Sequence, residues 1–313
     1  MTVLITGGTG FLASHLTKKL LNEGVSDIVL FDIFPNMANI GDLAGRVKVV
    51  QGDFCEGSEL LGVIKTHKVT DIFHLAFILQ EAEKFISRAI RVNCAGTSDL
   101  FEISRIAGIR RVVWASSGAV YGHLTETFGE DAEPLSEEGP TNPDSMYGAS
   151  KLFNESTAET YAKKRGLDHI GLRLGSIYGM GRAQRRGVRP DVYSSLIENS
   201  YFGLECLAPP AAQHYPWTYV KDVANAFYAA YRFPEKPSVR IFNVCGESRT
   251  IGEMADYLRS ILPKTNIKFG NKLVSRLGVC KTDRIEKDLG FKAEYTMEKG
   301  VQDYLEDLKA RKV

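Results

Sequence analysis

Two side chains with proton chemistry stand four residues apart in Tyr147-Gly148-Ala149-Ser150-Lys151. That spacing puts both on one face of a helix, a turn from each other. A tyrosine ordinarily keeps its proton to about pH 10, so it is no base in neutral water. A neighbouring ammonium and the cationic ring of a bound nicotinamide favour the phenolate. Tyr147 can then take an alcohol proton as hydride leaves carbon, and return it in the reverse direction. A third group, Ser117, follows the apolar run Val112-Val113-Trp114-Ala115 in Ser116-Ser117-Gly118-Ala119-Val120-Tyr121-Gly122. A hydroxyl at the carboxyl end of a strand lies where doubly wound sheets bind ligands. From there it can donate to a substrate oxygen, or serve only as a capping serine.

Hydride chemistry needs a carrier, and the first residues read as a cradle for one. A strand-like opening runs into Thr6-Gly7-Gly8-Thr9-Gly10-Phe11-Leu12-Ala13, a GxxGxxA pattern before an amphipathic helix carrying Leu16, Leu20 and Leu21. Glycine lets the backbone turn sharply and approach a pyrophosphate, whose charge rests on the free N–H groups and positive end of the helix. Ala13 is small enough for close helix–strand packing. A glycine turn between a first strand and a helix is the context that a dinucleotide site requires. The second strand then ends in Asp32, about twenty residues past the glycines, a carboxylate able to accept both ribose hydroxyls. It would repel a 2′-phosphate, which favours NAD over NADP. Asp53, after the third strand, is placed either to bond the adenine amino group or to act as an ordinary turn residue.

The elements that must position these groups alternate. Apolar runs at Thr2–Thr6, Asp27–Asp32, Val47–Gln51, Asp71–Ala76, Arg111–Ser116 and His169–Arg173 are separated by helical patterns near Gly10–Glu23, Glu59–His67, Ala82–Ala107 and Tyr147–Lys164. This is the signature of βα units in a doubly wound parallel sheet. After Gly175 the alternation fades. A stretch with Arg182, Arg185, Arg186 and Arg189, a helical pattern over Asp191–Tyr201, and three prolines up to Pro216 reads as a smaller substrate lobe. Later come a helix at Val220–Tyr231, a strand at Arg240–Val244, and a helix opened by Thr250 and Glu253 at capping-box spacing. The expected division is residues 1–175 for the cofactor domain, with returning segments near 217–246, and 176–313 mainly for the lobe.

Composition narrows the partners. At about 150 residues per domain, 313 residues allow this two-part plan. With 39 Lys and Arg against 38 Asp and Glu, a net charge of +1 gives no footprint for nucleic acid or an anionic membrane. Apolar residues at 44% and charged ones at 25% are ordinary for a globular chain. No apolar stretch is long enough to span a bilayer, and MTVLITGG enters a strand with no signal peptide, so a cytoplasmic protein is expected. Five scattered cysteines, Cys55, Cys94, Cys206, Cys245 and Cys280, read as reduced packing thiols. No metal site is expected: His15, His67, His123, His169 and His214 lack ligand spacing, and His74 reads as a satisfied structural histidine.

Taken together, TGGTGFLAS, Asp32, HLAF at His74–Phe77, Asn93 in RVNCAGT, SSGAVYG and YGASK resemble the extended short-chain dehydrogenase/reductase family. Within it the likeness is to the NAD-dependent epimerase/dehydratase group, which includes the UDP-galactose 4-epimerases. IYG after Arg173, YVKDVANAF and the final DRIEKDLGFKAEYTMEKGV extend it over nearly the whole chain. The resemblance implies a Rossmann-type fold, with Ser117, Tyr147 and Lys151 catalytic and Asn93 supporting them. It implies NAD bound by Gly7, Gly10, Phe11, Leu12, Asp32, Asp53, Leu75, Ala76, Asn93 and Lys151, the last holding the nicotinamide ribose. It also implies a homodimer through the helices bearing Asn93 and Tyr147.

Two departures matter. Dehydratases of the group usually carry Asp-Glu after the catalytic hydroxyl; here Gly118 and Ala119 follow Ser117. Nucleotide-sugar enzymes usually carry an arginine for the diphosphate where Tyr215 stands, and losing a bidentate donor undermines that substrate class. The first reading is therefore a dehydrogenase that oxidises a secondary alcohol of a sugar, sugar acid or similar small molecule with exchangeable NAD. The alternative is a nucleotide-sugar 4-epimerase with retained NAD. A non-catalytic NAD sensor would predict a damaged Ser/Tyr/Lys set, which this chain does not have.

Overall fold

A computed structural model describes residues 1–79, 81–122, 134–182, 192–234, 236, 239–272 and 279–310. The first half delivers strands β1 (Thr2–Thr6), β2 (Ile28–Asp32), β3 (Lys48–Gln51), β4 (Val69–His74), β5 (Arg111–Ser117) and β6 (His169–Leu174). Between them lie α1 (Phe11–Asn22), α2 (Met37–Ile40), α3 (Gly57–His67), α4 (Ile86–Ala89), α5 (Thr97–Ile106) and α6 (Met146–Arg165). β1, β5 and β6 are buried along their whole length, as strands covered on both faces of a parallel sheet are.

One expected helix is different. The pattern over Ala82–Ala107 begins as a helix only at Ile86, and Ile90–Gly96 is a π-helical turn joining α4 to α5. Asn93 sits in that turn. Its carbonyl accepts the Asn154 side-chain amide at 2.8 Å, so a tertiary bond engages it where the helical ladder is irregular.

The second half supplies β7 (Ile177–Tyr178), α7 (Val192–Phe202), β8 (Glu205–Ala208), β9 (His214–Tyr219), α8 (Val220–Arg232) and β10 (Ile241–Val244). β11 (Glu247–Thr250), α9 (Ile251–Ile261), β12 (Asn266–Phe269), α10 (Asp283–Leu289) and α11 (Met297–Ala310) complete it. The capping box at Thr250 forms, with the Thr250 side chain and Glu253 each bonding the other's backbone N–H.

Seven parallel strands make the main sheet in the order β10-β6-β5-β4-β1-β2-β3. Chain direction around the sheet reverses at β1, where Thr6 lies opposite Phe31 on β2 and His74 on β4. A crevice opens there, beyond the carboxyl ends of the strands. Beside it, β7 and β11 flank β9 in a three-stranded sheet, and β8 pairs with β12. One apolar cluster runs without a break from Val3, Ile5 and Phe73 in the main sheet to Tyr178, Trp217 and Tyr304 in the lobe. A second lies on the other sheet face around Phe31, Phe101 and Trp114. Among the described residues no helix is long and apolar enough to cross a membrane.

Candidate active site

A cavity of about 700 Å³ occupies the crevice. Its floor is the glycine turn. Gly7 has φ +63°, and a Cβ there would stand 3.0 Å from the Ala76 backbone; at Gly8 a Cβ would approach Leu30 Cα to 2.6 Å and the Ile5 carbonyl to 2.7 Å. Only glycine lets this loop lie so close to the neighbouring strands. α1 then starts at Gly10 with no side-chain cap and no acid in its first turn, so its leading N–H groups keep their capacity for an anion. Gly10, Phe11 and Leu12 line the cavity at that point.

The other expected cofactor residues surround this turn. Asp32 Oδ2 accepts the Thr9 N–H at 3.0 Å and the Thr9 hydroxyl at 2.7 Å, and Oδ1 accepts the Phe34 N–H at 3.2 Å. These bonds fix the carboxylate at the end of β2 on the cavity wall. Asp53 also lines the cavity, while its Oδ1 accepts the Cys55 N–H at 2.9 Å, so it is a turn residue and a wall residue at once. Leu75 and Ala76 form the wall beyond β4, where the Leu75 N–H donates to the Thr6 carbonyl at 3.2 Å.

Ser117 and Tyr147 line the same cavity. Ser117 Oγ accepts the Ala119 N–H at 3.1 Å, which uses a lone pair and leaves the hydroxyl proton to donate. Tyr147 is carried into place by the first turn of α6, whose N-cap Ser145 accepts the Gly148 N–H at 3.0 Å. Lys151 lies behind it, 3% exposed. Its Nζ donates to the Ala115 carbonyl at 2.7 Å and stands 5.5 Å from the Tyr147 ring centre and 4.6 Å from that of Phe77. Burial lowers the Lys151 pKa to about 7, and Glu155 opposes that shift.

Sequence reasoning missed what stands behind Lys151. Glu155, a further turn along α6, is gripped by Arg173 through Nε at 2.9 Å and Nη2 at 2.7 Å, and by the Ser116 hydroxyl at 2.6 Å. The signal was the continuation of the same helical face, Tyr147, Lys151, Glu155. Also missed was Glu83, a wall residue whose carboxylate accepts the Met146 N–H at 2.6 Å beside Tyr147. No local pattern points to that contact.

Asn93 is buried and turned to another task. Its amide accepts the Ile78 N–H and donates to the Ile78 carbonyl, both at 2.8 Å, clamping the segment after β4. His74 is satisfied by the Thr6 and Thr97 hydroxyls at 2.7 and 3.1 Å, and burial lowers its pKa to about 3. Of the basic cluster, Arg182 lines the cavity with its guanidinium 5.5 Å from the Phe11 ring centre; Arg185, Arg186 and Arg189 lie outside the described residues, as does His123. Tyr215 is 2% exposed and stacked on Tyr193 with ring centres 3.3 Å apart. No His/Cys/Asp/Glu group suited to a metal occurs among the described residues.

Comparison with known proteins agrees with this architecture. The model of the NAD dependent epimerase/dehydratase family matches residues 3–245. A UDP-glucose 4-epimerase of Azospirillum brasilense is 27% identical over 261 residues, 79% of this chain and 73% of that protein. A D-erythronate dehydrogenase of Cupriavidus necator is 27% identical over 340 residues, 98% of each. The solved structure of UDP-glucose 4-epimerase from Thermotoga maritima with UDP-glucose shares the fold, with a TM-score of 0.86 at 23% identity over 99% of each chain.

Proposed function

The chain belongs to the NAD dependent epimerase/dehydratase family, and on that premise we propose that it is a dehydrogenase oxidising a secondary alcohol of a sugar, sugar acid or similar small hydroxylated molecule, with NAD as an exchangeable acceptor. One observation carries this reading: Ser117 and Tyr147 open into the cavity that the glycine turn and Asp32 line.

The residues fit the cofactor. The uncapped start of α1 suits a pyrophosphate, the close approach of Gly7 to Ala76 keeps the floor free of side chains, and Asp32 offers ribose hydroxyls a carboxylate. Bound there, NAD supplies the hydride acceptor. Tyr147 takes the alcohol proton at its phenolic oxygen. Lys151 favours the phenolate because its ammonium is held in a buried, weakly screened place one turn away. The Ser117 hydroxyl donates to the substrate oxygen and stabilises its charge.

One feature favours a dehydrogenase over the alternative, a nucleotide-sugar 4-epimerase. Tyr215 is locked in an aromatic stack where a diphosphate-binding arginine is expected for that substrate class; Gly118 and Ala119, which put no carboxylate after Ser117, argue only against a dehydratase. The epimerase reading draws on the likeness to UDP-glucose 4-epimerases. NAD(H) released by denaturing the purified protein separates the two: a protein that purifies largely empty and binds NAD reversibly supports the dehydrogenase, whereas a near-stoichiometric yield contradicts it and sends the search to nucleotide sugars.

A cytoplasmic homodimer completes the proposal. Phe85, Ile86, Ile90 and Phe153, on or beside the helices that bear Asn93 and Tyr147, are 43% to 48% exposed, which is apolar surface for a second copy. Sedimentation at graded concentrations tests it.

A further inference from the structure

The turn that follows β7 brings a cation to the start of α1. Arg182 lines the cavity beside Phe11, the first residue of that helix. Its guanidinium lies over the Phe11 ring, 5.5 Å from the ring centre, within the range of a cation–π contact. No carboxylate among the described residues is paired with it. A guanidinium laid on a ring keeps its N–H donors in its own plane, available to an anion at the ring's edge.

Three features fix this turn against α1. The Arg182 N–H donates to the Gly179 carbonyl at 3.2 Å and closes the turn. Gly181 has φ +91°, a conformation that glycine adopts without strain, and its backbone passes so near Phe11 that a Cβ would stand 3.8 Å from Cδ2. His15, one turn further along α1, donates from Nε2 to the Met180 carbonyl at 3.0 Å and meets Phe11 edge to face, with ring centres 5.6 Å apart.

Resting on the assignment of this cavity to NAD, we propose that Arg182 is the cationic jaw of a diphosphate clamp whose other jaw is the row of N–H groups at the start of α1. Residues 6–14 hold no lysine or arginine, so the glycine turn and the helix start meet the two negative charges of a dinucleotide's pyrophosphate with partial charges alone. The guanidinium supplies a full charge and can fork onto two phosphate oxygens. Phe11 orients it from below, and the His15–Met180 bond keeps its turn at the helix. Arg182 thus serves the cofactor although it stands on the wall that leads to the lobe.

Calorimetric titration of the whole chain with NAD, and with ADP-ribose, which keeps the diphosphate and lacks nicotinamide, tests the clamp. Arg182→Gln removes the charge and keeps a polar side chain; it should weaken both ligands alike, by roughly tenfold to a hundredfold. Arg182→Lys should recover part of that loss, having the charge without the fork. Wild-type affinity should also fall more steeply with added NaCl than that of Arg182→Gln. Equal affinities of wild type and Arg182→Gln for both ligands would overturn the clamp and leave the NAD site standing. So would a loss confined to NAD, which would put the guanidinium at the nicotinamide end. A wild-type protein that binds neither ligand would overturn the NAD site and the clamp together.

Discussion

The cavity has two walls of different construction. One is made by the carboxyl ends of β1, β2, β4 and β5, where neighbouring parallel strands fix each residue through backbone bonds. The other is contributed by Gly175–Ile177 and Arg182, where the chain leaves β6 for a lobe whose small sheets join segments far apart in the chain. The first wall carries the groups proposed for hydride chemistry, and the second is the proposed place of substrate choice. A fold can therefore keep its chemistry and change its substrate by altering one wall alone.

Lys151→Met should break the first wall most severely. Turnover falls by roughly a hundredfold or more, because Tyr147 loses the cation favouring its phenolate, and NAD binding weakens in the same variant. Calorimetry with NAD beside NADH formation checks both; unchanged affinity would separate Lys151 from the ribose. Asp32→Ala comes next, weakening NAD by about 1.5–3 kcal/mol, the worth of hydrogen bonds to a charged group, and narrowing the preference over NADP. Parallel titrations with the two cofactors measure that.

Acid should loosen the seam between the walls. His15 bonds the Met180 carbonyl at 3.0 Å, joining α1 to the lobe, and burial lowers its pKa to about 4; His74 and His169 are lowered to about 3 by burial. With folded values below the ordinary 6.5, the unfolded chain binds the extra protons. Stability is therefore full above about pH 6.5 and is lost as pH falls toward 4, by on the order of 1 kcal/mol per pH unit for each histidine. Thermal melts across that window, with His15→Gln giving a shallower slope, check the sign. Tyr215→Phe should matter least: the stack on Tyr193 survives and NAD affinity is unchanged, so a shift in NAD affinity would show that Tyr215 reaches the cofactor.

The difference between the walls also explains what was legible in the sequence. Glycines at Gly7 and Gly8, Asp32 at a strand end and the Tyr147–Lys151 spacing are local patterns dictated by backbone geometry, and the structure gathers Gly7, Asp32 and Tyr147 at one cavity with Lys151 directly behind. Most of the long-range pairings were not legible. β8 bonds β12 some sixty residues later, β7 is two residues long, and neither has a periodicity of its own. Asn93 shows an intermediate case: the resemblance pointed to it, but its side-chain clamp on Ile78 and its carbonyl's bond to Asn154 from another helix are long-range contacts with no local pattern.

The most direct test of the account is Tyr147→Phe, followed in one experiment by NAD titration and by NADH formation with the best alcohol from a screen of sugars and sugar acids. The phenyl ring keeps the contact with Phe77 and loses only the hydroxyl, so NAD affinity should hold while turnover falls by roughly 10²–10⁴-fold. Turnover near the wild-type rate would contradict Tyr147 as the base, and loss of NAD binding along with activity would mean that its role had been misassigned.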